Sequence, residues 1–353
     1  MKKIEALIDA FESKGVDGVL ISELRNVRYL SGFTGSSACL LITRRERLFF
    51  TDFRYQEQAE KETSGFEIHI EKEERPKLIV KQAKEMGIGI LGFETTASYA
   101  FYRELLKKGF RLKGLTNLVE DMRKVKDAAE LLLLQRAIER AEQAFLRTKP
   151  HIRKGATEIQ IAGRLEDNLR KTGCASLPFD IIVASGPNSS MPHAKPVNRV
   201  MDAGDLVVVD WGGEAGGYFS DMTRTVLING RNVGKKKAIY DTVLRANLRA
   251  IECVKPGIHA RAIDKAARDL IKAAGYGDFF GHGTGHGVGL DVHEQPRISR
   301  LGRDHVRTGM VFTIEPGIYL PGLGGVRIED MVSVTGSGCS VLTALPKGLE
   351  IIH

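Results

Sequence analysis

Residues 206–228 read LVVVDWGGEAGGYFSDMTRTVLI, two β-rich runs around a glycine-rich turn, and each run carries one aspartate, Asp210 or Asp221. The glycines of GGEAGG supply the backbone freedom that a hairpin turn needs. Three consecutive valines before Asp210 predict a buried strand, a setting in which an unpaired aspartate is rare. With the turn centred between Ala215 and Gly216, the two aspartates face each other across the hairpin. Directly opposed side chains have Cβ atoms about 5 Å apart, and like charges there destabilise the pair. A cation held between them removes that cost, so the hairpin reads as half of a metal site. The alternative is two edge aspartates facing water.

A second stretch has the same design. Residues 310–335, MVFTIEPGIYLPGLGGVRIEDMVSVT, form two strand-like runs around a turn rich in Pro and Gly, with Glu315 ending one run and Glu329 within the other. Pro316 biases Glu315 to an extended backbone. Between the two hairpins, GHGTGHGVGLDVHE (281–294) sets His282, His286 and His293 among five glycines. So many glycines disfavour a helix, which leaves a loop or strand with one ligand imidazole and one or two facing a substrate. Four carboxylates gathered in an interior repel one another and resist desolvation unless cations neutralise them. His193, in ASGPNSSMPHAKP (184–196), reads by itself as an ordinary loop histidine.

An internal echo links the halves. GATEIQIAGRLEDNLRKTG (Gly155 to Gly173) and GIHARAIDKAARDLIKAAG (Gly257 to Gly275) match in length and in bounding glycines, 102 residues apart. Each predicts a helix ending at a glycine C-cap, the first opening on a capping box from Thr157 to Gln160. Duplication of one unit explains the match, the alternative being a chance likeness of two amphipathic helices; under duplication, each half contributes a pair of carboxylates to one shared centre. Before this region, amphipathic helices alternate with short strands (GVLIS, ACLLIT, IGILGF) in an α/β pattern. A long helix opens within LVEDMRKVKDAAELLLLQRAIERAEQAF. The division is therefore an α/β domain over 1–125 and an α+β domain with an internal pseudo-twofold repeat over 126–353.

Bulk properties exclude other classes. With 353 residues, 42% of them hydrophobic, the chain can bury two cores. Its longest apolar runs are far short of a membrane span, and its start is amphipathic rather than a signal core, so a cytoplasmic protein is expected. The formal charge of +8 is spread among acids, the densest run being GKKK at 234–237, and no nucleic-acid partner is expected. Cys39, Cys174, Cys253 and Cys339 form no CxxC pair, against a zinc knuckle or a disulfide framework.

On PHAKP, VDWGGEAGGYFSDMTRT, GTGHGVGLDVHE, TIEPGIYL and GGVRIEDMVSVT, the sequence resembles the pita-bread metallopeptidases, in the prolidase and Xaa-Pro aminopeptidase branch. NVRYLSGFTGSSACLLIT and FFTDFRYQEQA extend the likeness to a creatinase and prolidase type of N-terminal domain. The resemblance implies that Asp210 binds one metal, that Asp221 and Glu329 bridge two, and that His286 and Glu315 complete the second. It further implies catalytic roles for Glu315, as proton carrier, and for His193 and His293, as substrate-facing imidazoles. A hydroxide bridging two divalent ions would then cleave the Xaa-Pro bond at the N-terminus of short peptides with Pro second, and a homodimer is implied. Carboxylate-rich ligation with one imidazole suits Mn, with Co, Fe or Zn as alternatives. The same architecture hosts metal-independent amidinohydrolases and non-catalytic peptide-binding proteins. For a dipeptidase, Arg297 or Arg327 would clamp the substrate carboxylate, unless each is a structural partner of nearby acids.

Overall fold

The computed structural model describes residues 2–107 and 109–353. The chain divides into two compact units, one ending at Arg123 and the other spanning Lys124 to His353. The first is built on six strands, β1 (Gly18–Ile21), β2 (Cys39–Thr43), β3 (Arg47–Thr51), β4 (Glu67–Ile70), β5 (Ile90–Glu94) and β6 (Arg111–Leu115), in the order β4-β3-β2-β1-β5-β6. The central strands β1 and β2 carry the buried apolar runs legible in the sequence. Strands β4 and β6 lie at the sheet's edges and are half exposed, so they show no apolar run to read.

The second unit is a repeat. Helices Glu158–Lys171 and Ala260–Ala273 end at Gly173 (φ 96°) and Gly275 (φ 85°), a left-handed turn that glycine makes at no steric cost. Both ends close alike: Cys174 N donates to Leu169 O and Tyr276 N to Ile271 O, each at 3.0 Å. These positions are 102 residues apart, as the sequence echo has it. The expected Thr157 to Gln160 capping box is present. Further on, Gly155 N donates to Met201 O (3.0 Å) and Gly257 N to Val306 O (2.8 Å), so the offset grows from 102 to 105 in the loop that follows the helix.

Thirteen strands build the unit's sheets: β7 (Ile182–Ser185), β8 (Leu206–Trp211), β9 (Glu214–Ala215), β10 (Tyr218–Phe219), β11 (Met222–Ile228), β12 (Gly285–Gly287), β13 (Glu294–Ile298), β14 (Val311–Ile314), β15 (Gly317–Leu320), β16 (Gly324–Arg327), β17 (Asp330–Val334), β18 (Cys339–Val341) and β19 (Glu350–Ile352) among the described residues. Adjacent antiparallel strands β7-β8-β11 in one half correspond to β12-β14-β17 in the other. Each half also carries a small inner hairpin, β9-β10 or β15-β16. Helices Ala128–Thr148 and Gly234–Glu252 complete the correspondence. The first is fixed under β8 by Trp211, whose indole stacks on Phe145 at 4.4 Å and donates from Nε1 to Ala141 O at 2.9 Å.

One detail of the expected register is corrected. Asp210 pairs with Thr223 and not with Asp221. The turn is centred one residue later than expected, on Gly216 (φ 56°) and Gly217 (φ 80°), between the paired Ala215 and Tyr218. A two-residue hairpin turn of this hand needs φ > 0 at both central positions, which Gly216 and Gly217 supply. Asp221 therefore sits diagonally from Asp210, just before β11. Glu329 likewise immediately precedes β17 rather than lying within a strand.

Candidate metal centre

The repeat delivers acids to one place because each ligand position lies at a strand end. Asp210 is in β8, Asp221 precedes β11, Glu315 follows β14 and Glu329 precedes β17. The two hairpins meet directly: Glu329 N donates to Thr223 O at 3.1 Å, and Thr223 Oγ1 donates to Glu329 Oε2 at 2.7 Å. Potential ligand atoms of Asp210, Asp221 and Glu329 lie within 4.8 Å of one another, and so do those of His286, Glu315 and Glu329. Asp221, His286 and His293 form a third such group.

His286 arrives on the short strand β12, whose glycines matter for packing. A Cβ at Gly285 would lie 1.9 Å from Thr313 O, and one at Gly287 2.1 Å from Gln295 O. These glycines thus admit the neighbouring strands. The imidazole Nδ1 is 3.1 Å from Gly287 O, to which it donates, leaving Nε2 with a free lone pair. That Nε2 faces Glu315 Oε1 at 3.3 Å and Asp221 Oδ2 at 3.5 Å. Burial holds the His286 pKa below its ordinary value, which favours the neutral ring that a metal ligand requires.

The carboxylates are placed at an electrostatic cost. Burial, then the charges of Glu329, Asp210 and Glu315, push the Asp221 carboxyl well above its usual range. Burial, then Glu315 and Asp210, do the same to Glu329. Glu315 is raised by burial, against the opposing pull of His282 and Arg327. One cation of the protein offsets part of this: Arg327, buried, donates to Asp210 Oδ2 at 2.5 Å, to Tyr319 OH at 2.8 Å, to Thr223 Oγ1 at 3.1 Å and to Pro192 O at 3.3 Å. The other oxygen, Asp210 Oδ1, is buried with no hydrogen-bond partner among the described residues. An orphaned carboxylate oxygen, a free imidazole lone pair and three carboxyls with raised pKa fit hard divalent cations.

The five expected ligands are thus brought together. His293 is exposed, with its ring 4.2 Å from that of His286. His193 is also exposed and lies close enough to disfavour the protonated forms of His282 and His293. Arg327 donates to Asp210, Thr223, Tyr319 and Pro192, contacts of the kind that the structural alternative expects. Arg297 is exposed on β13, directly across the register from His286. Sequence reading passed over Thr313, whose Oγ1 accepts from His286 N (3.1 Å) and donates to Glu315 Oε1 (3.2 Å). It also left Tyr319 unassigned, and His282 without a specific part. His282 Nδ1 donates to Gly283 O at 2.8 Å, so its Nε2 accepts from Tyr319 OH at 2.9 Å. The repeated GHG of 281–287 was the one available signal for His282.

Comparison with known proteins identifies the family of the chain. Residues 133–336 match the Metallopeptidase family M24, and residues 3–125 match the Creatinase/Prolidase N-terminal domain. The structure of a Xaa-Pro dipeptidase from Bacillus anthracis superposes with a TM-score of 0.97 at 42% identity, covering 100% of this chain and 99% of that one. An X-Pro aminopeptidase from Thermotoga maritima gives a TM-score of 0.90 at 39% identity, covering 96% and 98%. An uncharacterised peptidase of Bacillus subtilis, YqhT, is 40% identical over 99% of this chain and 100% of its own. The chain belongs to metallopeptidase family M24, with a pita-bread domain behind a creatinase-type N-terminal domain.

Proposed function

We propose that the protein is a Xaa-Pro exopeptidase working with two divalent ions held by Asp210, Asp221, His286, Glu315 and Glu329. Membership of a metallopeptidase family implies divalent metal. The observation that carries the two-ion reading is the sharing of Glu329 between two ligand clusters, one with Asp210 and Asp221, the other with His286 and Glu315. Mn is the ion we favour, because four carboxylates and one imidazole make a predominantly hard donor set.

Bound ions would supply an acidified water and polarise the scissile carbonyl. The chain's own groups do the rest. Glu315, beside the ions, would take the proton of that water and pass it to the leaving imino nitrogen. His293, its pKa lowered by partial desolvation and then by the neighbouring His286, would orient the substrate carbonyl together with His193. The ligand set also argues against a metal-independent amidinohydrolase or a purely peptide-binding protein, since neither has a use for these mutually repelling acids.

Named relatives include a dipeptidase and an aminopeptidase. Arg297 favours the dipeptidase, because an exposed guanidinium in register with His286 is available for a substrate carboxylate. Comparing cleavage of a Xaa-Pro dipeptide with that of a Xaa-Pro tripeptide tests this. A dipeptidase cleaves the first with far higher kcat/KM, and equal or better cleavage of the tripeptide contradicts it. We also read the protein as a cytoplasmic homodimer, supported by the family resemblance; light scattering of the purified chain tests the second part.

A further inference from the structure

Arg224 directly follows Thr223, the residue through which the first hairpin touches Glu329. Its guanidinium turns back into the join between the two halves. Nη1 donates to Thr223 O at 3.0 Å and to Glu329 O at 2.6 Å. Nη2 donates to Asp330 Oδ1 at 2.9 Å and to Leu345 O at 2.8 Å, and Nε to Pro346 O at 3.2 Å. One buried side chain therefore holds the backbone of the first hairpin, the backbone of Glu329 and the segment near the chain's end.

Its counter-charge is held as firmly. Asp330, fully buried, accepts from Thr343 Oγ1 at 2.7 Å, pairs with Lys347 Nζ at 3.1 Å and accepts from Asn247 Nδ2 at 3.1 Å. Asn247 Nδ2 also lies 2.9 Å from Ile314 O and 3.3 Å from Ile328 O, the residues before Glu315 and Glu329. The bonds to Glu329 O, Asp330, Ile314 O and Ile328 O end on the backbone that carries a carboxylate of the metal centre or on its direct neighbour, while those to Leu345 O, Pro346 O, Thr343 and Lys347 tie the network to the segment 343–347. None involves a carboxylate oxygen of the centre itself.

We propose that Arg224, with Asp330 as its buried partner, is a positioning residue that sets the Glu329 carboxylate against the first-half hairpin, and so holds both metal positions at their working separation. This rests on the ligand assignment above. A lysine at 224 keeps one charge but cannot reach five acceptors on three segments. Groups that orient ligands typically cost about 10- to 100-fold in metal affinity when lost.

The test uses the full chain loaded with Mn²⁺. Arg224→Lys is compared with wild type by circular dichroism, by Mn²⁺ titration and by the electron paramagnetic resonance signature of an exchange-coupled Mn pair. The expected result is a folded protein in which the affinity for at least one ion falls about 10- to 100-fold and the coupled-pair signal is lost. Two ions bound with wild-type affinity and an unchanged signal overturn the proposal, whatever happens to thermal stability. Should Arg224→Lys not fold, Thr343→Val, which removes one bond to Asp330 and lies outside the centre, must weaken Mn²⁺ binding in the same sense; unchanged binding overturns it. Glu329→Gln separates this from the reading beneath it. If that variant keeps both ions, the ligand assignment fails; if it loses them while the Arg224 variant does not, only the positioning role fails.

Discussion

Arg327→Met removes a buried cation that faces the acidic centre. The guanidinium is 3% exposed and donates to Asp210, Tyr319, Thr223 and Pro192 at 2.5 to 3.3 Å. Truncating one side of a buried ion pair costs about 3–5 kcal/mol, because the partner charge stays behind unpaired. A unit of this size loses about 2–4 °C per kcal/mol, which gives a fall in Tm of about 6–20 °C. The loss should be largest in chelator, since added Mn²⁺ can neutralise Asp210 in place of the arginine. Scanning calorimetry of the variant with chelator and with Mn²⁺ measures both quantities. A Tm within about 2 °C of wild type, together with a raised KM for a Xaa-Pro dipeptide, would refute the reasoning and make Arg327 a substrate clamp.

Arg297→Ala should behave in the opposite way, with unchanged Tm and a KM for a Xaa-Pro dipeptide raised about 10- to 100-fold, the size of a lost charged hydrogen bond; unchanged KM would count against it. Asp221→Asn is expected to lose metal and activity together, measured by elemental analysis and peptide hydrolysis, and retention of both ions would contradict the hairpin assignment. Gly285→Ala places a Cβ 1.9 Å from Thr313 O, so a destabilisation of at least about 1–3 kcal/mol by urea unfolding is expected, with activity falling because Thr313 braces both His286 and Glu315. The metal-free protein should lose stability as pH rises. Asp221 and Glu329 have folded pKa values raised above the unfolded range by burial and like charge, so the native state binds the extra protons and stability falls from about pH 4 upward at about 1.4 kcal/mol per unit for each group until its folded pKa is passed. A metal-free Tm that instead rises between pH 4 and 7 would show that this repulsion does not operate.

Much of the centre was legible because its residues are anomalous where they stand. An aspartate behind three valines, and glutamates at the ends of apolar runs, ask for a partner that no neighbour in sequence supplies. The repeat was legible because its helices keep the same length and the same glycine stop. The register of the first hairpin was not, since GGEAGG offers several glycines and only backbone dihedrals choose Gly216 and Gly217. The supporting groups were hidden for another reason. Thr223, Arg224 and Asn247 act on residues some 67 to 122 positions away, and nothing local distinguishes them from any strand threonine, strand arginine or helix asparagine.

Cleavage of a Xaa-Pro bond by the metal-loaded protein is the most direct test of the two-ion exopeptidase. Protein stripped with chelator and reloaded with Mn²⁺ should bind two ions per chain and release the N-terminal residue from a Xaa-Pro peptide, with activity lost on chelation and restored by the ion. A protein that binds both ions yet cleaves no Xaa-Pro peptide, or one that cleaves equally well in chelator, would contradict it.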